Sequence, residues 1–261
     1  MARALTTPRW IAWTVASALL LIASLYAFHR LEQFLIRDAR FTLNLPGTSE
    51  ESGSESLAIA GSSHASARAI QAVFAEDFGR SVYLIPIGDR RASLLTVDWI
   101  KDASVARFWP NRIVVGVNER KPVAFVTLGS ESATEPGRRA LIDDDGVILP
   151  ASQDRFMLPL LLGVSVSDAL PARRQRVQRM LGLVKDLGNA SRAVSEVDVS
   201  DPDNLKISEP FDGHVVTLLL GDRNFALRHQ NFVSYYAEIR RKLPNSSVLD
   251  LRLEDRITVV K

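Results

Sequence analysis

From Trp10 to Phe28 about 19 positions pass without a charge, close to the ~20 that let a helix cross hydrocarbon. Trp10 and Trp13 stand at one end of this run and Tyr26 and Phe28 at the other, where interfacial aromatics belong. Neither face of it is polar, so a buried helix in a soluble domain fits poorly. Beyond Phe28 the pattern becomes periodic. Phe41 and Leu43 alternate with Thr42, and Leu57-Ala58-Ile59-Ala60-Gly61 resumes the extended pattern. Between them residues 46–56 are rich in Ser, Gly and Glu and can bury little apolar surface, which predicts a flexible acidic insert. Ser66 is placed to cap a helix carrying Ile70, Val73, Phe74 and Phe78 until Gly79. A turn through Pro86 and Gly88 leads to a second helix around Asp89 to Leu95, and Ser104 to Phe108 reads as a strand.

Trp109-Pro110-Asn111 is a turn signal, because proline presets φ and asparagine tolerates turn conformations. After it Ile113, Val115 and Val117 alternate with Arg112, Val114 and Gly116, the period of a strand with one buried face. Pro122 limits ladder pairing to an edge or boundary, so one domain ends near here and another begins. The first has the order β, α, α, β, β.

In the second region Ala140 to Asp143 and Val147 to Leu149 are apolar runs joined through Asp145-Gly146, a hairpin signal. The acids Asp143, Asp144 and Asp145 read as a solvated turn, since a dedicated calcium loop would add a later spaced carboxylate. Pro171 opens a helix with a Val177, Met180, Leu181, Val184 and Leu187 stripe, which Gly188 ends. Its other face, with Arg173, Arg174, Arg176 and Arg179, reads as a solvated surface rather than a lipid or nucleic-acid site. Strands are expected at Val194 to Val199, Leu205 to Ile207 and His214 to Leu220. Gly221 to Asn224 turns the chain back. A last helix, Asn231 to Leu243, presents Phe232, Tyr235, Tyr236, Ile239 and Leu243 to the sheet. Two strands, Val248 to Leu253 and Arg256 to Val260, come after it, linked by Glu254-Asp255.

Charge sets the topology. Arg3 and Arg9 precede the apolar run with no acid among them, so the positive-inside rule keeps residues 1–9 in the cytoplasm and the remainder outside. A cleavable signal peptide is the competing reading, but the run exceeds the usual ~7–15 residues and Leu25-Tyr26-Ala27 is a poor cleavage site. Across 261 residues, 32 Lys and Arg against 30 Asp and Glu give a net charge of +2, no whole-chain case for nucleic acid. With 0 cysteines the fold has neither disulfides nor thiolate metal sites. His29, His64, His214 and His229 lack metal-ligand spacing, and neither a Gly-x-Ser-x-Gly elbow nor a phosphate-cradling loop occurs. No catalytic residue, cofactor, metal or small-molecule substrate is expected.

The stretch Phe108-Trp109-Pro110-Asn111-Arg112, continuing to Asn118-Glu119-Arg120-Lys121-Pro122-Val123-Ala124, resembles the strand-turn-strand that closes the POTRA domain of the bacterial FtsQ/DivIB cell-division family. Leu57 to Gly61, Leu141-Ile142-Asp143 with Gly146, Leu158 to Gly163 and Leu249-Asp250-Leu251-Arg252-Leu253 resemble the family in the same order, with Leu253 where an aromatic is usual. The resemblance implies an α+β chain: one transmembrane helix at 10–28, a POTRA domain at 37–120 and a β-rich domain with two flanking helices at 121–261. It implies a non-enzymatic, single-pass scaffold of the inner membrane and division septum. Its POTRA and transmembrane regions would recruit other division proteins, and its β domain would bind the coiled-coil proteins FtsB and FtsL. The expected site is Arg252 and Leu253 at the end of the preceding strand together with Arg256, Ile257, Thr258, Val259 and Val260 of the last one. A terminal edge exposes N–H and C=O groups to an incoming strand, although Ile257 and Val259 could instead only complete the domain's own core. Two other classes stay open at this point, a POTRA component of outer-membrane transport and a membrane-anchored periplasmic hydrolase.

Overall fold

A computed structural model describes residues 9–44, 56–129, 138–242, 246–253 and 256–259. Outside them lie the expected cytoplasmic tail up to residue 8, nearly all of the acidic insert, Leu243, the Glu254-Asp255 link and the expected site residue Val260. The chain divides into two units, Met1–Glu119 and Arg120–Lys261. Each is α+β.

Unit 1 opens with α1 (Arg9–Arg37), which runs past the apolar stretch by more than two turns. Its residues from Trp13 are long and apolar enough to cross a membrane. The end of α1 is fastened to the body of the unit, where the Ser81 hydroxyl donates to the Leu35 carbonyl at 2.7 Å. Where the alternation of Phe41 and Leu43 with Thr42 predicts an extended segment, the chain instead enters it through a 3-10 turn, Ala39–Phe41. Asp38 causes it, because its carboxylate accepts the Arg40 N–H at 2.9 Å and competes with strand geometry. Thr42 makes only an isolated bridge to Ser81. Then come β1 (Leu57–Ala60), α2 (Ala67–Val73), a 3-10 turn at Val82–Leu84, α3 (Ile87–Leu94), β2 (Ile100–Phe108) and β3 (Arg112–Glu119). Ser56, at the end of the acidic insert, is buried, and its carbonyl accepts the Ile113 N–H at 2.8 Å.

The three strands lie in the order β1-β3-β2, with β1 parallel and β2 antiparallel to β3. This is the POTRA arrangement. Ser66 caps α2 by accepting the Ala69 N–H. The helix stops at Val73, short of Gly79, because Phe74 and Asp77 close successive turns there. Asp77 is buried with both oxygens bonded to Arg90, at 2.6 and 3.1 Å. Ile70, Phe74, Val82, Ile85, Leu94, Ile113 and Val115 form the core. The Trp109–Pro110 bond at the β2–β3 turn is cis.

Unit 2 carries β4 (Pro122–Leu128), β5 (Arg138–Asp143), β6 (Ile148–Leu149), β7 (Leu160–Leu162), α4 (Leu170–Leu187), β8 (Glu196–Asp198), β9 (Leu205–Phe211), β10 (His214–Gly221), α5 (Phe225–Lys242), β11 (Val248–Asp250) and β12 (Thr258–Val259). Its strands pair into one sheet ordered β12-β11-β10-β9-β8-β7-β4-β5-β6. Val177, Met180, Leu183 and Leu187 of α4 and Phe232 of α5 pack onto it with Ile142, Ile207, Leu218 and Leu249. Leu183 belongs to the buried stripe, while Leu181 and Val184 flank it half-buried.

Two expectations fail here. The last helix begins at Phe225, six residues before the expected Asn231, because the Asp186 carboxylate of α4 accepts the Ala226 N–H at 3.0 Å and supplies a cap from outside the helix. Asp143 is not solvated. It is fully buried, accepting from Arg120 Nη1 at 2.6 Å and from the N–H groups of Asp145 and Val147 at 3.0 and 2.7 Å. A buried carboxylate needs such donors. The α4 arginines are likewise partly engaged, Arg176 with Asp168 and Arg174 with the Asp145 carbonyl.

Candidate functional site

The described members of the expected site, Arg252, Leu253 and Arg256 to Val259, are gathered at one end of the unit 2 sheet. β12 pairs with β11 through Leu249↔Val259 and Asp250↔Thr258, and among the described residues it is the outermost strand. Ladder parity decides which of its amides face outward. Ser247 accepts from Thr217, and Leu251 donates to Leu219, so residues 247, 249 and 251 turn their backbone polar groups toward β10. Alternation then turns those of Asp250 toward Thr258. Thr258 is thus the ladder-bonded residue, and the backbone groups of Ile257 and Val259 are directed away from the sheet. Their side chains pack half-buried against the core.

Arg252 and Leu253 form the turn after β11. The Arg252 guanidinium bonds Asp250 twice, Nε at 2.9 Å and Nη2 at 2.6 Å. That pairing holds the Asp250 carboxyl below the usual range against the opposing effect of burial. Arg252 is therefore engaged within its own unit, and Arg256 also has an interaction of its own. Leu253 is 54 % exposed. Beneath the turn lies Arg228 of α5, buried, donating through Nη1 to Leu220 O and through Nη2 to Arg252 O at 2.9 Å. Gly221 makes room for it. A Cβ there would come within 2.6 Å of Arg228 Nη1.

Between α5 and this segment is a groove of about 570 Å³ lined by Arg228, Asn231, Tyr235, Glu238, Ile239, Lys242, Leu251, Leu253, Arg256 and Ile257. Tyr235, expected in the core, is 56 % exposed and stands on the groove. Tyr236, one residue on, takes the core position against Phe211 and Phe232. Sequence reasoning missed the groove wall on α5. The signal was a second stripe, Tyr235, Ile239 and Lys242, at helical spacing beside the core stripe. The groove mixes apolar walls with both signs of charge.

The remaining titratable groups are spread across the two units. His64 sits against Glu119 and stacks on Trp99 with centroids 4.5 Å apart. His229 pairs with the buried Glu209 at 3.0 Å, and His214 touches Arg240. Asp143, Asp144 and Asp145 bring carboxylate oxygens within 4.8 Å of one another, but Arg120 already supplies the countercharge.

An apolar N-terminal helix, a βααββ unit and a β-rich unit with two packed helices define a membrane-anchor-plus-POTRA class of protein. The family comparisons agree with this order. Residues 52–120 match the model described as POTRA domain, FtsQ-type, and residues 133–252 match that of Cell division protein FtsQ/DivIB, C-terminal. The chain belongs to the FtsQ/DivIB family. It is 34 % identical over 212 residues to a cell division protein FtsQ of Koribacter versatilis, covering 78 % of this chain and 59 % of the relative. A Bordetella pertussis FtsQ is 26 % identical over 214 residues, with 72 % and 70 % covered. A Streptococcus pyogenes DivIB is 24 % identical over 183 residues, with 69 % and 44 % covered. The chain thus spans somewhat over half the length of the first of these relatives. The second family match ends at Arg252, before β12.

Proposed function

We propose that this chain is a non-enzymatic scaffold of the bacterial division machinery, held in the inner membrane by α1 with its N-terminus in the cytoplasm and the rest of unit 1 and unit 2 in the periplasm at the septum. The relatives' names support the cell-division role. Its partners are FtsB- and FtsL-like coiled-coil proteins, bound at the segment Arg256, Ile257, Thr258, Val259 and Val260, of which Thr258 and Val259 are β12, with the Arg252-Leu253 turn beside it. Other division proteins meet the POTRA and transmembrane regions.

The observation that carries the edge is the backbone of Ile257 and Val259, directed away from the sheet beside a half-apolar groove. An added strand would bond to those amides. A flanking helical or extended segment of the partner would lay apolar side chains against Tyr235, Ile239 and Leu253, with Glu238, Lys242 and Arg256 at its rim. Arg252, committed to Asp250, contributes by shaping the turn rather than as a spare charge.

Proline at Val259 removes an outward N–H and keeps an apolar ring on the core side. Co-purification of the full chain with the FtsB- and FtsL-like proteins is expected to weaken at least ~10-fold for Val259→Pro, about 1.4 kcal/mol, with an unchanged circular dichroism spectrum. Undiminished binding by the folded variant overturns the edge reading.

A further inference from the structure

α1 does not end at the edge of its apolar run. About 20 residues of helix span hydrocarbon, and counted from Trp10 or Trp13 they finish between His29 and Glu32. Phe34 therefore stands ~3–8 Å beyond at 1.5 Å per residue, inside a headgroup layer ~5–7 Å deep on each side. Helical side chains also lean toward the N-terminus, here toward the bilayer. From Phe34 an aromatic ladder leads to the hairpin tip. Phe34 meets Phe41 at 5.6 Å between centroids, and Phe41 meets Trp109 at 5.5 Å, both edge-on. Phe108 and Trp109 are nevertheless 54 % and 52 % exposed, large aromatics left in the open at the tip of the β2–β3 hairpin.

The charges around this ladder match the aromatics. Arg30 and Arg37 lie seven residues apart on one helix face, with Phe34 between them, and line a shallow hollow with Gln33 and Asp38. Asp38 is answered by Arg40, whose guanidinium also lies 5.5 Å from the Phe34 ring centre. Glu32 is the other acid on this stretch of α1. Arg112 is exposed and is the cross-strand partner of Phe108, on the same side of the sheet. Aromatics that prefer the interface, beside arginines, are what an anionic headgroup layer binds.

We propose that unit 1 rests its β2–β3 hairpin tip on the membrane that α1 crosses, with Phe108 and Trp109 among the lipid headgroups and Arg30, Arg37 and Arg112 against anionic phosphates. The inference rests on the membrane-anchor reading of α1. It makes the POTRA unit a peripheral membrane module with a fixed footing rather than one swinging on a tether.

The chain has 0 cysteines, so single sites can be labelled in the full-length protein. Asn111→Cys at the tip, Asn118→Cys ~23 Å up the same strand and Leu20→Cys within α1 would each carry an environment-sensitive fluorophore. Quenching by headgroup-labelled and acyl-chain-labelled lipids is read in vesicles of phosphatidylethanolamine with phosphatidylglycerol, and of phosphatidylcholine alone. The expected result is several-fold stronger headgroup quenching at 111 than at 118. It should be greater with phosphatidylglycerol, and Arg37→Gln with Arg112→Gln should abolish that excess. If Leu20 is quenched by the acyl-chain label but 111 behaves like 118, the footing is overturned and the anchor stands. Equal quenching at 111 in both lipids overturns the role of the arginines. Failure to quench Leu20 overturns the anchor itself.

Discussion

Unit 1 closes its sheet on polar groups that answer one another, whereas unit 2 runs its sheet out to a strand two residues long. At the end of β3, Glu119 accepts the N–H groups of Ser63, Ala65 and His64 at 2.7, 2.7 and 2.9 Å, together with the His64 ring at 2.9 Å. One carboxylate thus ties the β1–α2 loop to the strand beside it. Gly61 completes the closure, since a Cβ there would strike the Val117 carbonyl oxygen. The next residue, Arg120, plays the corresponding part for unit 2, where it holds the buried Asp143. At the far end of unit 2 the last strand is held by two ladder pairs, Leu249↔Val259 and Asp250↔Thr258, by Ile257 and Val259 half-buried against the core and by an interaction of Arg256, while Arg228 ties the Arg252 turn before it. On the proposed reading a partner strand adds to this short edge strand. The second unit then carries the strand-binding edge, while the first is closed by the Glu119 contacts.

The comparison breaks most visibly at the paired charges. Asp143→Ala leaves Arg120 facing a buried hole and is expected to cost unit 2 about 3–5 kcal/mol. Calorimetry should show its transition fall while that of unit 1 stays in place. Glu119→Gln should do the reverse by a smaller amount, about 1–3 kcal/mol in unit 1, since the amide oxygen still accepts the backbone N–H groups, more weakly, while the amide nitrogen cannot accept from the His64 ring.

Glu119 also gives unit 1 a pH signature. Burial pushes its carboxyl up, but the N–H donations of Ala65, His64 and Ser63 and the bond from the His64 ring outweigh that and hold it below the ordinary value. A depressed carboxyl contributes stability that is complete above its unfolded value, near 4.3, and is lost as pH falls through the folded one. Stability of unit 1 should therefore decline below about pH 4.3, and Glu119→Gln should flatten the decline.

Arg228→Met tests the tie at the other end. It leaves the Leu220 and Arg252 carbonyls without their donor and should cost unit 2 about 1–2 kcal/mol, with faster amide exchange over residues 246–259. Arg40→Ala should change nothing measurable in unfolding. Its pair with Asp38 is exposed to solvent, although Arg40 holds that carboxyl down to about 2.

Much of the frame was legible because its signals are local. Ser66 caps, Asp145-Gly146 turns, Pro171 opens and Gly188 closes a helix within a few residues of where each acts. What escaped depends on contacts distant in the chain. Asp143 reads as one acid among three until Arg120, 23 residues away, is seen beside it. Phe225 opens α5 because of Asp186, about 40 residues earlier. Phe41 departs from its pattern for a local reason, since the ability of Asp38 to bend the chain outweighs alternation. At the site, the pattern supplied the terminal strand but not which of its amides face outward. That comes from the register of β11 against two neighbours, and it makes Val259 rather than Thr258 the informative position for proline.

Amide hydrogen exchange across residues 256–261 of the full chain, alone and saturated with its FtsB-like partner, tests the edge most directly. Strand addition predicts that the Ile257 and Val259 amides exchange readily in the free protein and slow markedly in the complex, while Thr258, already bonded to Asp250, changes less. Exchange at Ile257 and Val259 that is unaltered when the partner is demonstrably bound would contradict the account.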